Sequence, residues 1–127
     1  MITDAKTAQI VATAFTWGSK HDFQLFKEDQ TNMAEQIRIL ADAGYQGLGN
    51  LHANCQTPFK KSKYHPLTRK EKRKNRSLAR PRIAIEHIFR QLKVFRILSE
   101  RYRNRRKRFA LRFNLIAAIY NRELNQL

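Results

Sequence analysis

The uneven distribution of positive charge is the feature that most restricts what this chain of 127 residues can be. Residues 1–59 contain four basic side chains against six acidic ones, whereas residues 60–127 contain 22 basic against four acidic. A polyanion is the natural partner of the second half, because each phosphate that a cation neutralises releases condensed counterions. The alternative is a solvated basic face that only keeps the protein in solution. At this charge density we favour nucleic acid as the partner.

Length and composition predict one domain, residues 1–127, with a modest hydrophobic core. The hydrophobic fraction of 42% is typical of a folded protein rather than a disordered one. Cys55 is the single cysteine, which excludes an intramolecular disulfide and fits a reducing compartment. No apolar run approaches the ~18 residues that a membrane span needs, and the opening residues Met1–Asp4 do not resemble a secretory signal. These features predict a soluble cytoplasmic protein that has no membrane partner.

The first part of the chain, residues 1–60, has the pattern of a sheet-rich region. Gln9–Thr16 and Ile37–Ala41 are short apolar runs rich in β-branched or aliphatic residues, and each ends at a turn signal. Between them His21–Asp29 favours a short helix, with Asp22 as its cap. A further extended piece is expected at Gln56–Lys60. This order of elements predicts a mixed α/β beginning.

The second part, residues 67–127, is basic and helical in its pattern. Thr68 followed three residues later by Glu71 predicts a capping box at a helix start. A long helical pattern then runs from Ile83 to Arg103, and a last amphipathic segment carries apolar residues at helical spacing. These are Phe109, Phe113, Ile116, Tyr120 and Leu124. Pro81 either kinks the helix or lies in the first turn of a new one.

One face of this helical pattern combines a carboxylate with two cations. At 100° per residue, Arg82, Glu86 and Lys93 fall within about 40° of one another. The opposite side collects aliphatic and aromatic residues, namely Ile85, Ile88, Leu92 and Phe95. The alternative interpretation is a surface helix with an ordinary ion pair between side chains four residues apart.

Asp42 is the second candidate carboxylate, in the sequence Ala41–Gly47. It directly follows an apolar strand pattern and precedes a glycine turn. Ligands of open α/β sheets bind beyond the carboxyl ends of the strands, which suits an aspartate that holds a metal. The alternative is a turn in which the carboxylate caps its own backbone.

Taken together, these segments resemble the DDE transposases of bacterial insertion sequences, whose catalytic domain has a ribonuclease H-like fold. The resemblance covers almost the whole chain and rests on five segments in matching order and spacing. They are HDFQLFK from His21, ADAGYQG from Ala41, TPFKKSKYHPLTRKEK from Thr57, RIAIEHIFRQLKVFRILSERYRNRRKRF from Arg82 and LRFNLIAAIYN from Leu111. The resemblance implies an α/β fold with a short mixed sheet followed by long C-terminal helices.

The resemblance also implies the roles of individual residues. Asp42 corresponds to the second metal-binding aspartate and Glu86 to the terminal glutamate of the family. The family signature Tyr-x-x-Arg-x-x-x-Glu-x-x-x-x-x-x-Lys matches here at Arg82, Glu86 and Lys93, with Ala79 in place of the tyrosine. The two carboxylates are therefore expected to hold Mg²⁺ or Mn²⁺, two ions in an intact site.

DNA is the partner that this family context implies, both as transposon ends and as target. Arg82 and Lys93 are expected to bind phosphates beside the metals. A cluster between the last two helices is expected to clamp the DNA backbone, the alternative being a solvated loop. It consists of Arg103, Arg105, Arg106, Lys107 and Arg108.

The family's first catalytic aspartate lies upstream of the segment that this sequence matches, and Asp4 does not replace it. We therefore expect a C-terminal fragment of a transposase that is inactive alone and needs an upstream fragment, with a homo-oligomer also open. The alternative function is a non-catalytic basic DNA-binding module, or a regulator of full-length transposase. Both predict DNA binding that weakens with salt.

Overall fold

A computed structural model describes residues 1–16, 18, 20–29, 33–103 and 105–126. The described chain forms two compact units, which are treated separately below. The first combines residues 1–15 with residues 83–127, and the second contains residues 16–82. The chain passes between them at residues 15/16 and at residues 82/83, and the second of these points falls inside a helix. The prediction of a single domain over residues 1–127 stays a prediction.

The four strands of the described residues pair in two separate two-stranded sheets. β1 (Ile2–Thr3) is antiparallel to β2 (Ile10–Ala12), and β3 (Ile39–Leu40) is parallel to β4 (Cys55–Gln56). The expectation of one short mixed sheet is thus corrected to two small sheets, although the α/β class is confirmed. β2 and β3 are also shorter than the apolar runs that predicted them, Gln9–Thr16 and Ile37–Ala41. A turn directly follows β1, where the Asp4 carboxylate accepts hydrogen bonds from the backbone of Lys6 and Thr7 at 2.7 and 3.0 Å.

The first helix, α1, spans Asp22–Glu28 and confirms the short helix predicted there. Its cap is one residue earlier than expected, because the side chain of His21 accepts the hydrogen bond from the Phe23 N–H at 3.2 Å. The prediction of Asp22 as the cap is therefore wrong. Asp22 lies in the first turn instead, where its negative charge complements the helix dipole.

Helix α2 spans 24 residues, Arg69–Leu92, and begins at the predicted capping box. The Thr68 hydroxyl accepts from the Glu71 N–H at 3.2 Å, and the Glu71 carboxylate accepts from the Thr68 N–H at 2.7 Å. Pro81 lies inside this continuous helix, so the interpretation that a new helix starts there is wrong.

The predicted helical run to Arg103 is also wrong beyond Leu92. After α2 the chain turns and forms only a single short helix, α3, over Arg96–Ser99. The break has a packing reason, because Ile97 would lie about 140° away from Leu92 on a straight helix. The turn instead brings Ile97 and Leu98 onto the same core that Leu92 enters.

Helix α4 spans Phe109–Leu124, as its apolar spacing predicted, and completes the core of the first unit. Ile88 and Leu92 from α2 meet Ile116 and Tyr120 there, while Phe113 and Leu124 pack at its edge. The backbone of Ile10 joins this core through α4, because the Asn121 amide accepts from its N–H and donates to its carbonyl, both at 2.8 Å.

The second unit holds α1, the β3–β4 pair and the first half of α2. Its buried apolar side chains include Leu48 and Leu78. The Asn75 amide fastens α2 to the segment after β4, accepting from the Phe59 N–H at 2.8 Å and donating to the Phe59 carbonyl at 3.0 Å. Over the residues that the structure describes, no helix has the length and apolar character to cross a membrane.

Candidate active site

Asp42 lies two residues beyond β3 and begins a short 3-10 turn, Ala43–Tyr45. Its Oδ1 atom accepts a hydrogen bond from the Ala43 N–H at 2.5 Å and lies 3.2 Å from a guanidinium nitrogen of Arg82. The carboxylate is nevertheless open to solvent, with 59% of its side chain exposed. The Asp42 carboxylate therefore caps its own turn, as in the alternative interpretation, and it is at the same time accessible to solvent at the end of a strand.

The turn that carries Asp42 is held in place by aromatic packing. The Tyr45 ring meets the rings of Phe23 and Phe26 edge to face, with centroids 5.7 and 6.2 Å apart. Burial raises the pKa of the Tyr45 hydroxyl above its ordinary value, and the negative charges of Asp22 and Asp42 raise it further. Tyr45 therefore stays a neutral phenol at physiological pH, and its contacts with Phe23 and Phe26 hold the turn in place.

Arg82 is the predicted site residue whose surroundings differ most from the expectation. The sequence predicted that it would bind DNA phosphates, or pair with Glu86 four residues along the helix. In the structure its guanidinium pairs with Asp42, and its side chain is only 35% exposed. Sequence reasoning did not find this contact, because an ion pair between residues 40 positions apart has no periodic signature.

Glu86 and Lys93 follow further along the same stretch of chain. Glu86 is exposed on α2, in the unit that contains residues 83–127. Lys93 lies one residue beyond the end of α2, although its N–H still donates to the Phe89 carbonyl at 3.0 Å as in a helix. Phe95, predicted on the apolar face, lies outside α2 and is 40% exposed. Since Asp42 and Glu86 belong to different units, their approach to a common ion stays a prediction.

The donor chemistry of these carboxylates fits a divalent metal. Mg²⁺ and Mn²⁺ prefer hard oxygen ligands, and an exposed carboxylate such as that of Asp42 or Glu86 provides them. Among the described residues, no group of three or more His, Cys, Asp or Glu side chains lies together as a ready metal site. Arg82 pairs with the Oδ1 atom of Asp42, so an ion held at that atom would compete with it.

The predicted DNA-contacting cluster lies on the segment that leads into α4. Arg103 and Arg105 are exposed, and Arg106–Arg108 form an exposed 3-10 turn that continues directly into the helix. The Tyr102 ring packs edge to face on Phe109 with centroids 5.0 Å apart, and its hydroxyl donates to the Arg105 carbonyl at 3.3 Å. The cations thus project from a segment that is tied to α4 by its aromatic neighbour.

Comparison with known proteins now gives the family. The family described as "Transposase DDE domain" matches residues 1–122. The chain therefore belongs to the DDE transposase family.

The chain is also similar to a protein of Microchaete diplosiphon named "Probable transposase for insertion sequence element IS702". The two are 47% identical over 124 residues, which cover 98% of this chain and 45% of that protein. The chain thus spans less than half the length of this curated relative. No solved structure matches.

Proposed function

We propose that the chain contributes Asp42 and Glu86 to the metal-dependent active site of a DNA transposase that acts on phosphodiester bonds at transposon ends. The observation that carries the proposal is the family match over residues 1–122, which includes both carboxylates and the signature cations. Asp42 supports it further, because its exposed carboxylate follows β3 on a turn that aromatic packing holds in place.

The proposed roles of the residues follow from their chemistry. Two divalent ions, when bound, supply the charge that stabilises the attacking and leaving oxygens of an in-line displacement at phosphorus. Asp42 and Glu86 hold the ions through carboxylate oxygens. Lys93 contacts a DNA phosphate as a point charge, and the cations from Arg103 to Arg108 bind the backbone further away.

Arg82 would serve both Asp42 and the DNA in this proposal. Its guanidinium pairs with the Oδ1 atom of Asp42. Were a divalent ion held by Asp42, the guanidinium would be available to a DNA phosphate, which it can bind with two parallel hydrogen bonds.

Two carboxylates are fewer than the three that the family uses. We therefore propose that these two carboxylates act together with the family's first aspartate, on its opening strand, in one ribonuclease H-like active site. The test mixes the chain with a polypeptide that supplies this strand and aspartate, and assays Mg²⁺-dependent nicking of a transposon-end duplex. Failure of every such mixture to nick would contradict this proposal.

Metal binding gives the direct test of the two carboxylates. Mn²⁺ binding to the whole chain is measured by electron paramagnetic resonance for wild type, Asp42→Asn and Glu86→Gln. Glu35→Gln is the matched control, because Glu35 is also exposed and lies outside the proposed site. We expect at least about tenfold weaker binding for the two site variants, a loss of about 1.4 kcal/mol, and no change for the control.

A non-catalytic DNA-binding module is the second candidate function. The observation in its favour is that the Asp42 carboxylate already has two partners, the Ala43 N–H and Arg82, and so has a structural role without metal. Under this alternative Asp42→Asn and Glu86→Gln leave Mn²⁺ affinity at the level of the Glu35→Gln control. Salt-sensitive binding of duplex DNA persists in all three variants.

A further inference from the structure

The first half of α2 carries a row of five cations that has no part in the site described above. We call it the α2 basic stripe. On a helical wheel with Arg69 at zero, its members fall between about 300° and 40°, which is a single narrow face. They are Arg69, Lys72, Arg73, Arg76 and Arg80, and all five are exposed. From the first member to the last, the stripe is about 17 Å long at 1.5 Å per residue.

The opposite face of this half of α2 packs against other residues of the second unit. Leu78, at about 180° on the same wheel, is buried. Asn75 bonds the backbone of Phe59, and the Lys74 ammonium lies 5.3 Å from the centre of the Phe59 ring. Arg82, at about 220°, reaches Asp42. The packed face thus fixes the direction of the stripe, which points away from the candidate carboxylate.

The stripe has no internal compensation for its charge. The single acidic residue among residues 69–82 is Glu71, and its carboxylate is engaged by Thr68 at the helix start. Within the described part of the chain, no salt bridge involves any of the five stripe cations. Neighbouring cations three or four residues apart on a helix repel one another. We expect such a surface to bind a polyanion, because the negative charges of the polyanion offset the repulsion between the cations.

The chemistry of the stripe selects duplex DNA among the polyanions. Recognition of single strands and of RNA loops uses aromatic side chains that stack on bases, and residues 69–82 contain no aromatic residue. An apolar flank that inserts strengthens the binding of a helix to an anionic membrane, whereas the apolar Leu78 is buried on the far side. A row of cations on one helix face suits the phosphate backbone of a duplex, which it contacts without reading sequence.

We propose that the α2 basic stripe is a second DNA-binding surface, which holds the phosphate backbone of a duplex segment away from the Asp42 carboxylate. The inference rests on the proposed transposase function and assigns that function a backbone contact distinct from Arg82, Lys93 and the cations from Arg103 to Arg108. The stripe positions the DNA and does not take part in the chemistry.

The test compares two variants of the whole chain that lose the same charge. The stripe variant carries R69Q, R73Q, R76Q and R80Q, and glutamine has a helix propensity close to that of arginine. The control variant carries K6Q, K60Q, K61Q and K63Q, whose lysines are exposed and lie outside the stripe. Binding of a random-sequence duplex is measured by fluorescence anisotropy in EDTA at several salt concentrations, so that no metal contributes.

We expect the stripe variant to bind at least about 30-fold more weakly than the control at moderate salt. Four lost phosphate contacts also reduce the slope of log affinity against log salt by about 3 to 4, whereas the control keeps a slope near that of wild type. A stripe of lysines, made by R69K, R73K, R76K and R80K, is expected to keep the slope. Far-UV circular dichroism checks that α2 is intact in each variant.

Equal weakening in the stripe and control variants would overturn the proposal, because overall charge would then explain the binding. Tighter binding of single-stranded RNA than of the duplex, lost in the stripe variant alone, would overturn the choice of partner. Since the assay contains no metal, failure of the stripe leaves the Mn²⁺ test of Asp42 and Glu86 unaffected. Failure of the Mn²⁺ test likewise leaves the duplex-binding measurement to be judged by itself.

Discussion

The two hydrogen bonds between Asn121 and the Ile10 backbone allow the stability of the first unit to be probed at one side chain. The Asn121 amide accepts from the Ile10 N–H and donates to the Ile10 carbonyl, both at 2.8 Å. Ile10 is only 8% exposed, so water replaces these partners poorly. The amide thus takes the place that a neighbouring strand would have on this edge of β2.

We expect Asn121→Ala to lower the free energy of unfolding by about 2 kcal/mol. Two hydrogen bonds contribute about 2 kcal/mol net, and leaving the two backbone groups unpaired raises the loss to about 2.5 kcal/mol. Alanine returns about 0.5 kcal/mol through its higher helix propensity. Urea unfolding followed by far-UV circular dichroism measures the difference, and an unchanged dependence on urea concentration indicates that the unfolded state is the same.

Asn114→Ala is the matched control, because Asn114 is an exposed residue of the same helix with the same gain in propensity. Its amide oxygen accepts a hydrogen bond from the Thr13 hydroxyl at the surface. We expect a change within about 0.5 kcal/mol of zero. Asn121→Asp retains the acceptor for the Ile10 N–H but replaces the donor with a carboxylate oxygen that repels the Ile10 carbonyl, so it should destabilise at least as much as alanine. An Asn121→Ala variant no less stable than Asn114→Ala would refute the argument from partial burial.

The remaining predictions concern α2 and the core. Thr68→Ala removes the helix cap and is expected to cost about 1 kcal/mol in urea unfolding. Hydrogen bonds from the Thr68 backbone and hydroxyl lower the pKa of Glu71. The stabilisation that the ionised Glu71 carboxylate gives the start of α2 is therefore fully present above the ordinary glutamate pKa of about 4.3. This stabilisation is lost as the pH falls through the lowered pKa of Glu71. Acid titration followed by circular dichroism should show this loss in wild type but not in Glu71→Gln. Leu92→Ala creates a cavity at a side chain that is 1% exposed and is expected to cost about 3 kcal/mol, whereas Leu115→Ala at a 62% exposed site should cost under about 0.5 kcal/mol. Pro81→Ala restores a helical N–H donor inside α2 and should stabilise the chain by up to about 3 kcal/mol, seen as a higher urea midpoint.

The candidate site was predictable from sequence only in part. The segment around Asp42 and the family signature at Arg82, Glu86 and Lys93 predict these residues as the site from their types and order, and their roles there stay a prediction. The contact between Asp42 and Arg82 was not predictable, since it joins a turn to a helix that is distant along the chain. The α2 basic stripe required both kinds of information: the sequence shows the cations, and the buried Leu78 on the opposite face shows which way they point.

The sequence by itself determined the features that depend on neighbouring residues. The capping box at Thr68 and the apolar spacing of α4 act over one or a few helical turns, so they were read correctly before the fold was known. The division into a weakly acidic part and a strongly basic part is likewise a property of composition.

Only the tertiary structure decided where the elements stop and which surfaces are covered. α2 ends at Leu92 although the following residues favour helix, because turning there brings Ile97 and Leu98 into the core and releases their apolar surface from water. α2 likewise continues through Pro81, although a proline inside a helix has a local energetic cost. The strands have only two or three residues each, and a turn held by the Asp4 carboxylate directly follows β1. Such choices depend on contacts between distant parts of the chain, and local propensity contains no information about them.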